Sequence, residues 1–490
     1  MRKFLSIVCL VITLGVQGQN MPNPKPYASA IKAEDLKKHL YIIAGKEMEG
    51  RETATEGQRK AAAYIENEFR LLGLQPGNNG SYQMAFPVLQ DSMVNAELTV
   101  NGKSWKLSED FAVNIHPNHD FRLMASEVLF AGNGIVDSAR NAYKNINAPG
   151  RIVMIIPVPG TQARIMDAAQ KNGAAAILLV ETNFPRRAVT KGQQYTTMFR
   201  RTNQPNTFYI SEKVAEAIMG ADWATAKTPT AASKIYTAEV ALSYAEAITK
   251  TESTNVIGVL EGSDKKDEYV FITAHYDHLG KRDTVIYYGA DDDGSGTVSL
   301  FELAEAFGKA KAAKKGPRRS IVFMAVSGEE KGLWGSAWYS DHPIFPLEKT
   351  TVDLNIDMIG RIDPTRKTGD SMNYIYVVGD DKLSTDLRPI SEATNKKYSK
   401  LELDYKFNDP NDRQRIYFRS DHYNFARKGV PIIFYFSGTH ADYHRPTDTP
   451  DKINYDLFTK RAQFVFYTAW DMANRNDMLK RDLKLEIPSR

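Results

Sequence analysis

Apolar residues recur at three-and-four spacing in "AEDLKKHLYIIAG" (33–45) and "GQRKAAAYIENEFRLLGL" (57–74), and a glycine stops each run. The spacing predicts two helices between 32 and 74. From about 85 to 245 the pattern turns to short β-like runs separated by Pro, Asn and Gly. Within that stretch "RIVMIIPVPG" (151–160) reads as a buried strand, "QARIMDAAQKNGA" (162–174) as a helix and "AAAILLVET" (174–182) as the next strand. From about 252 come four short apolar strands, each ending in polar residues: "EYVFITA" (268–274), "SIVFMAV" (320–326), "TTVDLNI" (350–356) and "VPIIFYF" (430–436). Helical patterns such as "TVSLFELAEAFGKA" (297–310) lie between them. Continuous apolar strands alternating with helices predict an α/β fold, with a mixed, mostly parallel central sheet flanked by helices. The expected organisation is 19–115 as the first part of the main domain, 116–245 as an inserted small α/β domain, and 246–490 as the rest of the main domain.

The first eighteen residues stand apart. Arg2 and Lys3 precede an apolar run from Phe4 to Val16, and small residues follow around Gly18. That is the pattern of a cleaved secretory leader, and the run is too short for a permanent membrane helix. Export to the periplasm or the medium is expected, with no membrane anchor. Cys9, the single cysteine, would leave with the leader. A lipoprotein would need its cysteine at the end of the apolar run, whereas Cys9 lies inside it. The remaining chain then has neither disulfides nor thiolates. Across 490 residues, 63 Lys and Arg face 59 Asp and Glu, a formal charge of +4, and losing Arg2 and Lys3 leaves +2. Such a balance gives no electrostatic support for a nucleic-acid partner. The basic stretch "KAKAAKKGPRRS" (309–320) reads as a solvated helix end and loop.

Each apolar run ends in ionisable residues: His275 and Asp277 after the first, Glu329 and Glu330 after the second, Asp357 after the third, and His440, Tyr443 and His444 after the fourth. A glycine-rich bend, "GADDDGSG" (289–296), adds three adjacent aspartates. Ligands of open α/β sheets collect outside the carboxyl ends of the strands, so these segments are expected to converge. Taken singly each is weak, since a histidine at a strand end is commonly structural and paired glutamates in a loop are commonly solvated. A calcium loop fails for the aspartates, because no glutamate stands in the required register. Together, histidines and carboxylates without thiolate suit zinc or another divalent ion.

In their order and spacing, "AHYDHLG", "GADDDGSGT", "SGEEKGLWGS", "NIDMIGR" and "YHRPTDTPDKI" resemble the co-catalytic zinc exopeptidases. That family includes bacterial leucyl aminopeptidases, glutamate carboxypeptidase II and glutaminyl cyclases. The resemblance covers about 252 to 475. The lead-in "LYIIAGKEMEGRETATEGQRKAAAYIENEFRLLGL" is similar to that of secreted bacterial members, and the inserted unit resembles a protease-associated domain. It implies two Zn2+ ions, His275 and Asp357 holding one, Glu330 and His444 the other, and Asp292 bridging them. It further implies a cis peptide between Asp292 and Asp293, Glu329 as general base and then acid, and Asp277 orienting His275. Tyr443 matches a tyrosine that stabilises the oxyanion in some relatives, and a packing role stays open for it. Asp291 is read as a solvated turn carboxylate, and Asp421 and His422 as structural.

The leading expectation is a secreted di-zinc aminopeptidase acting on peptide N-termini. A carboxypeptidase-like or dipeptidase hydrolase of the same fold is the alternative, which would need arginines such as Arg361, Arg415 or Arg419 in the pocket. A glutaminyl cyclase works with one zinc and lacks the full ligand set that is present here. A binding protein with a degenerate peptidase domain, as in transferrin receptors, would have lost ligands or the base.

Overall fold

A computed structural model describes residues 21–485, apart from 114, 116–119, 139, 145, 187–188, 197–204 and 228–231. The leader-like segment and Cys9 lie outside the described residues. Among these residues no helix is long and apolar enough to cross a membrane. The described residues form two compact units, one from residues 21–85 together with 254–485, the other from within 86–253.

The four apolar runs all become strands of the first unit. The strands that position the site are, in chain order, β1 (Lys265–His275), β2 (Arg319–Val326), β3 (Thr350–Ile356), β4 (Tyr374–Val378), β5 (Glu402–Asp404) and β6 (Ile432–Phe436). Their order across the sheet is β5-β4-β6-β3-β1-β2, and residues 256–260 flank β2. Pairs β1–β2, β1–β3, β3–β6 and β4–β5 are parallel, while β4–β6 and the 256–260 pairing are antiparallel. The sheet is therefore mixed and mostly parallel, as expected. Every residue of β2, β3, β4 and β6 is buried, which is why β2, β4 and β6 read as near-continuous apolar runs, while β3 buries Asp353 and Asn355 between its apolar positions.

Successive side chains of a strand face opposite layers. Val270 and Ile272 of β1 join the core formed with helices Ala33–Ile43, Glu56–Leu71, Gly296–Ala312 and Tyr455–Asn474, through Leu40, Phe69, Phe301 and Trp470. Phe271 joins the opposite core, with Tyr339 of helix Trp334–Asp341 and Phe425 of helix His422–Arg427. With both faces covered, the strand ends at one edge are the part of the sheet free to carry chemistry.

The basic stretch departs from expectation at its end. Arg319 is the first residue of β2 and is fully buried. Its guanidinium is paired with Glu268 at 2.7 Å and donates to the carbonyls of Met472, Arg475 and Asn476. A charge is tolerated there because a carboxylate and three carbonyls accept from it.

In the second unit, strands Phe121–Phe130, Ile152–Ile155, Ala176–Glu181 and Asn206–Ser211 pair in parallel, with helices Gln162–Lys171 and Glu212–Met219. This unit begins at 86 rather than 116 and ends at 253 rather than 245. The change of pattern near 85 marks its start, because the chain is already in β structure from Gln83.

Candidate metal centre

The expected residues converge at the carboxyl ends of the strands. β1 ends on His275, the turn after β2 carries Glu329 and Glu330, and Asp357 follows β3 directly. The aspartate bend leads into helix Gly296–Ala312, and its conformation is fixed by its own side chains. Asp293 accepts from the backbone N–H groups of Gly296 (2.8 Å), Met358 (3.1 Å) and His275 (3.2 Å), tying the helix start to the ends of β3 and β1. The Asp292–Asp293 peptide is cis. Position 296 must be glycine, since a Cβ there would lie 2.2 Å from the Asp293 carboxylate and 2.5 Å from the Ile356 carbonyl.

Two groups of side chains that could hold a metal ion result: His275, Glu329 and Asp357, and His278, Asp292 and Glu330, with one donor atom of each residue within 4.8 Å of the others in its group. Asp292 stands between them. Its Oδ1 lies 3.3 Å from His275 Nε2, and its Oδ2 lies 3.1 Å from His444 Nε2. Asp357 Oδ1 is 3.6 Å from the same His275 nitrogen, and Glu330 Oε2 is 3.1 Å from the same His444 nitrogen. Glu329 Oε2, at 3.9 Å from His275, takes no part in these closer approaches.

The donor set fits divalent cations. Buried His275 Nε2, His278 Nδ1, Asp292 Oδ2 and Glu330 Oε1 have no hydrogen-bond partner. His278 Nδ1 and Glu330 Oε1 approach to 2.7 Å yet are not aligned as donor and acceptor, as atoms aimed at a common third partner would be. Nitrogen and carboxylate donors without sulfur suit zinc and its neighbours.

Electrostatics separate the two glutamates. Burial lifts Glu329 well above the usual carboxylate range; His275 opposes this, while Glu330 and Asp357 add to it. Burial and Asp292 also push Glu330 up, but His278 and His444 outweigh them and leave it lowered. Asp292 is held well below the usual range, because His275 and His444 overcome the cost of its burial. His444 is raised to about 10, the pull of Asp292 and Glu330 exceeding desolvation.

The surrounding positions differ in part from expectation. His275 Nδ1 faces the Asp277 main-chain carbonyl at 3.1 Å, while the Asp277 carboxylate is 3.8 Å away. Asp277 thus reaches the ring through its backbone, with its carboxylate behind. Asp291 is not solvated: it is fully buried, accepts from Gly360 N–H at 2.6 Å and lies 3.3 Å from His440 Nε2. His422 is structural, stacked on Phe434 with Nε2 2.8 Å from the Tyr417 carbonyl, and burial pushes it down to about 3. Asp421 is likewise buried, bonded to Ser336. Tyr443 stacks on His444 with ring centroids 3.9 Å apart, and its hydroxyl accepts from Arg419 at 2.9 Å.

Two site residues escape a reading of the sequence. His278 sits inside "AHYDHLG" and needed only to be weighed as a third histidine. Asp448, in "PTDTPD", accepts from the N–H groups of Asp291 (3.0 Å) and Asp292 (3.2 Å), so it holds the bend from outside. A small pocket opens beside the carboxylates, lined by Asp292, Glu329, Asp357, Arg419 and Tyr443 with apolar walls from Met358, Ile416, Phe434 and Phe436.

The site thus consists of two neighbouring histidine–carboxylate groups, with Asp292 between their histidines, at the strand ends of a mostly parallel α/β unit. Residues 255–469 match the family described as Peptidase family M28. The chain is 35% identical over 117 residues to Aminopeptidase YwaD of Bacillus subtilis, covering 24% of each protein. It is 26% identical over 280 residues to a probable leucine aminopeptidase of Arthroderma otae, covering 56% of this chain and 70% of that one. With Aminopeptidase NAALADL1 of Rattus norvegicus, 35% identity extends over 15% of that protein, so the chain matches YwaD and NAALADL1 over a quarter of their length or less. Among solved structures, an aminopeptidase from Aneurinibacillus sp. strain AM-1 has the same fold, with a TM-score of 0.55 at 18% identity over 95% of this chain and 100% of that one. A zinc aminopeptidase from Bacillus subtilis gives 0.53 at 18%, over 94% and 99%.

Proposed function

We propose that the protein is an exported di-zinc aminopeptidase, and one observation carries the reading. The two oxygens of Asp292 face different histidines, at 3.3 and 3.1 Å, while Glu329 lines the adjoining pocket uncommitted. His275 and Asp357 would hold one ion, Glu330 and His444 the other, with Asp292 between them and His278 close behind Glu330. When bound, the two ions would polarise a carbonyl and lower the pKa of water from about 15.7 toward about 7.

Glu329 then accepts the proton of the attacking water and delivers it to the departing amine. The Tyr443 hydroxyl, engaged by Arg419, faces the same pocket and is placed to donate to the developing oxyanion. The apolar walls suit an apolar side chain beside the scissile bond. Of the three arginines that a carboxypeptidase would need, only Arg419 lines the pocket; Arg361 is paired with Asp442 at 3.1 Å. The export reading rests on residues 1–18. The second unit is read as a protease-associated domain, on the resemblance alone.

The test is a paired digestion of one peptide set with free or acetylated N-termini, by metal-stripped and zinc-loaded protein, followed by mass spectrometry. Stepwise loss from free N-termini only, and only with zinc, is expected. Loss from C-termini regardless of acetylation would replace the reading with the carboxypeptidase one. A calorimetric scan supplies an independent check on the metals. Stability is expected to rise by about 2.7 kcal/mol per site at a hundredfold excess of zinc over its Kd. An unchanged midpoint would argue against a metal centre.

A further inference from the structure

The turns that carry the ligands rest on a segment more than two hundred residues upstream. Arg51 is fully buried, and its guanidinium donates to four carbonyls: Tyr276 (2.6 Å), Ile43 (2.8 Å), Tyr288 (2.8 Å) and Gly289 (2.9 Å). Tyr276 lies between His275 and Asp277, and Tyr288 and Gly289 lead into the aspartate bend. One rigid cation therefore fixes the distance between the strand end that bears His275 and the turn that bears Asp292. A lysine cannot do this, because its donors radiate from a single point.

The neighbouring residues extend the same contact. Gly50 O accepts from Gly280 N–H at 2.9 Å, and Arg51 O accepts from His278 N–H at 3.3 Å, so the His278 turn is laid along this segment. Position 50 has φ +71°, and a Cβ there would lie 2.3 Å from the Gly280 carbonyl, so only glycine allows the approach. Arg51 itself has φ 53°, which a non-glycine residue keeps only when its surroundings impose it. Thr53 donates to Asp277 Oδ2 at 2.7 Å while Glu329 N–H holds Oδ1 at 3.2 Å. Asp277 is thus gripped at both oxygens, and its carbonyl faces His275.

We propose that residues 50–53 are a positioning clip for the metal centre, Arg51 setting the spacing of the His275 and Asp292 carriers and Thr53 fixing Asp277. Neither residue is catalytic; each acts through the ligands. The inference rests on the di-zinc reading. It is tested by zinc affinity, measured by competition with a chromophoric chelator, in the full chain and in Arg51→Lys, Thr53→Val and Thr53→Ser, with metal-free melting and steady-state kinetics alongside. Arg51→Lys and Thr53→Val are expected to bind zinc about 10- to 100-fold more weakly. Their kcat should fall by a similar factor with KM little changed, and Thr53→Ser should recover both. A metal-free midpoint that drops while zinc affinity stays at the wild-type value would mean a merely structural role and overturn the proposal. If Arg51→Lys does not fold, the Thr53 pair decides, and equal affinities for Val and Ser overturn it. Wild-type protein that takes up no zinc overturns the metal reading and this one together. Normal wild-type uptake with unchanged variants overturns this one alone.

Discussion

Glu329→Gln is expected to lower kcat by roughly 10²- to 10⁴-fold, the range that a positioned general base contributes. KM and zinc uptake should stay near wild type. The glutamine keeps the size of the side chain and removes only its ability to carry a proton. Glu329 Oε2 is 3.9 Å from His275, so no close contact is lost, and the bond that supports Asp277 comes from the Glu329 backbone. The adjacent Glu330→Gln makes a useful contrast. Its carboxylate lies 2.7 Å from His278 and 3.1 Å from His444, so metal affinity should fall along with rate. Full zinc occupancy with a dead Glu329→Gln enzyme is the signature of a base. A variant within about tenfold of wild type would remove Glu329 from that role.

Asp292→Ala is expected to be the most damaging change at the metals. Partners that only orient a ligand typically cost 10- to 100-fold, and a carboxylate facing both histidines should exceed that, leaving activity down by more than roughly 10²-fold and zinc content below two per chain. The fold should survive, because Asp448 holds the bend through backbone N–H groups and Asp293 holds it from inside. Metal analysis and melting of the same sample separate the two effects. The midpoint without zinc should stay near wild type, while the increment added by zinc shrinks. Two zinc ions retained by Asp292→Ala would show that the aspartate does not link the groups.

The fold was legible where strands are buried on both faces. β3 is buried at every position, its apolar Val352, Leu354 and Ile356 alternating with Asp353 and Asn355, and its predicted span, 350–356, coincides with the strand. The convergence of His275, Glu330 and Asp357 was legible for a related reason, since each ends or closely follows a buried strand and carries an ionisable group that a core would not hold. What stayed hidden depends on partners far along the chain. Asp291 reads as a turn carboxylate until Gly360 and His440 arrive to bury it. Arg319 reads as part of a basic loop until the 472–476 carbonyls surround it. Arg51 stood in a lead-in already noticed, but nothing local says that its guanidinium reaches four carbonyls, two of them beyond residue 280. Strands β4 and β5 were passed over because their runs are short and follow an irregular, polar stretch.

The most direct measurement is an anomalous-diffraction map recorded at the zinc edge from crystals of the zinc-loaded protein. Two peaks about 3.5–4 Å apart are expected, the separation usual for two-metal sites. One should lie between His275 and Asp357 and the other between Glu330 and His444, with the Asp292 carboxylate reaching both. A single peak, or peaks away from Asp292, would contradict the account.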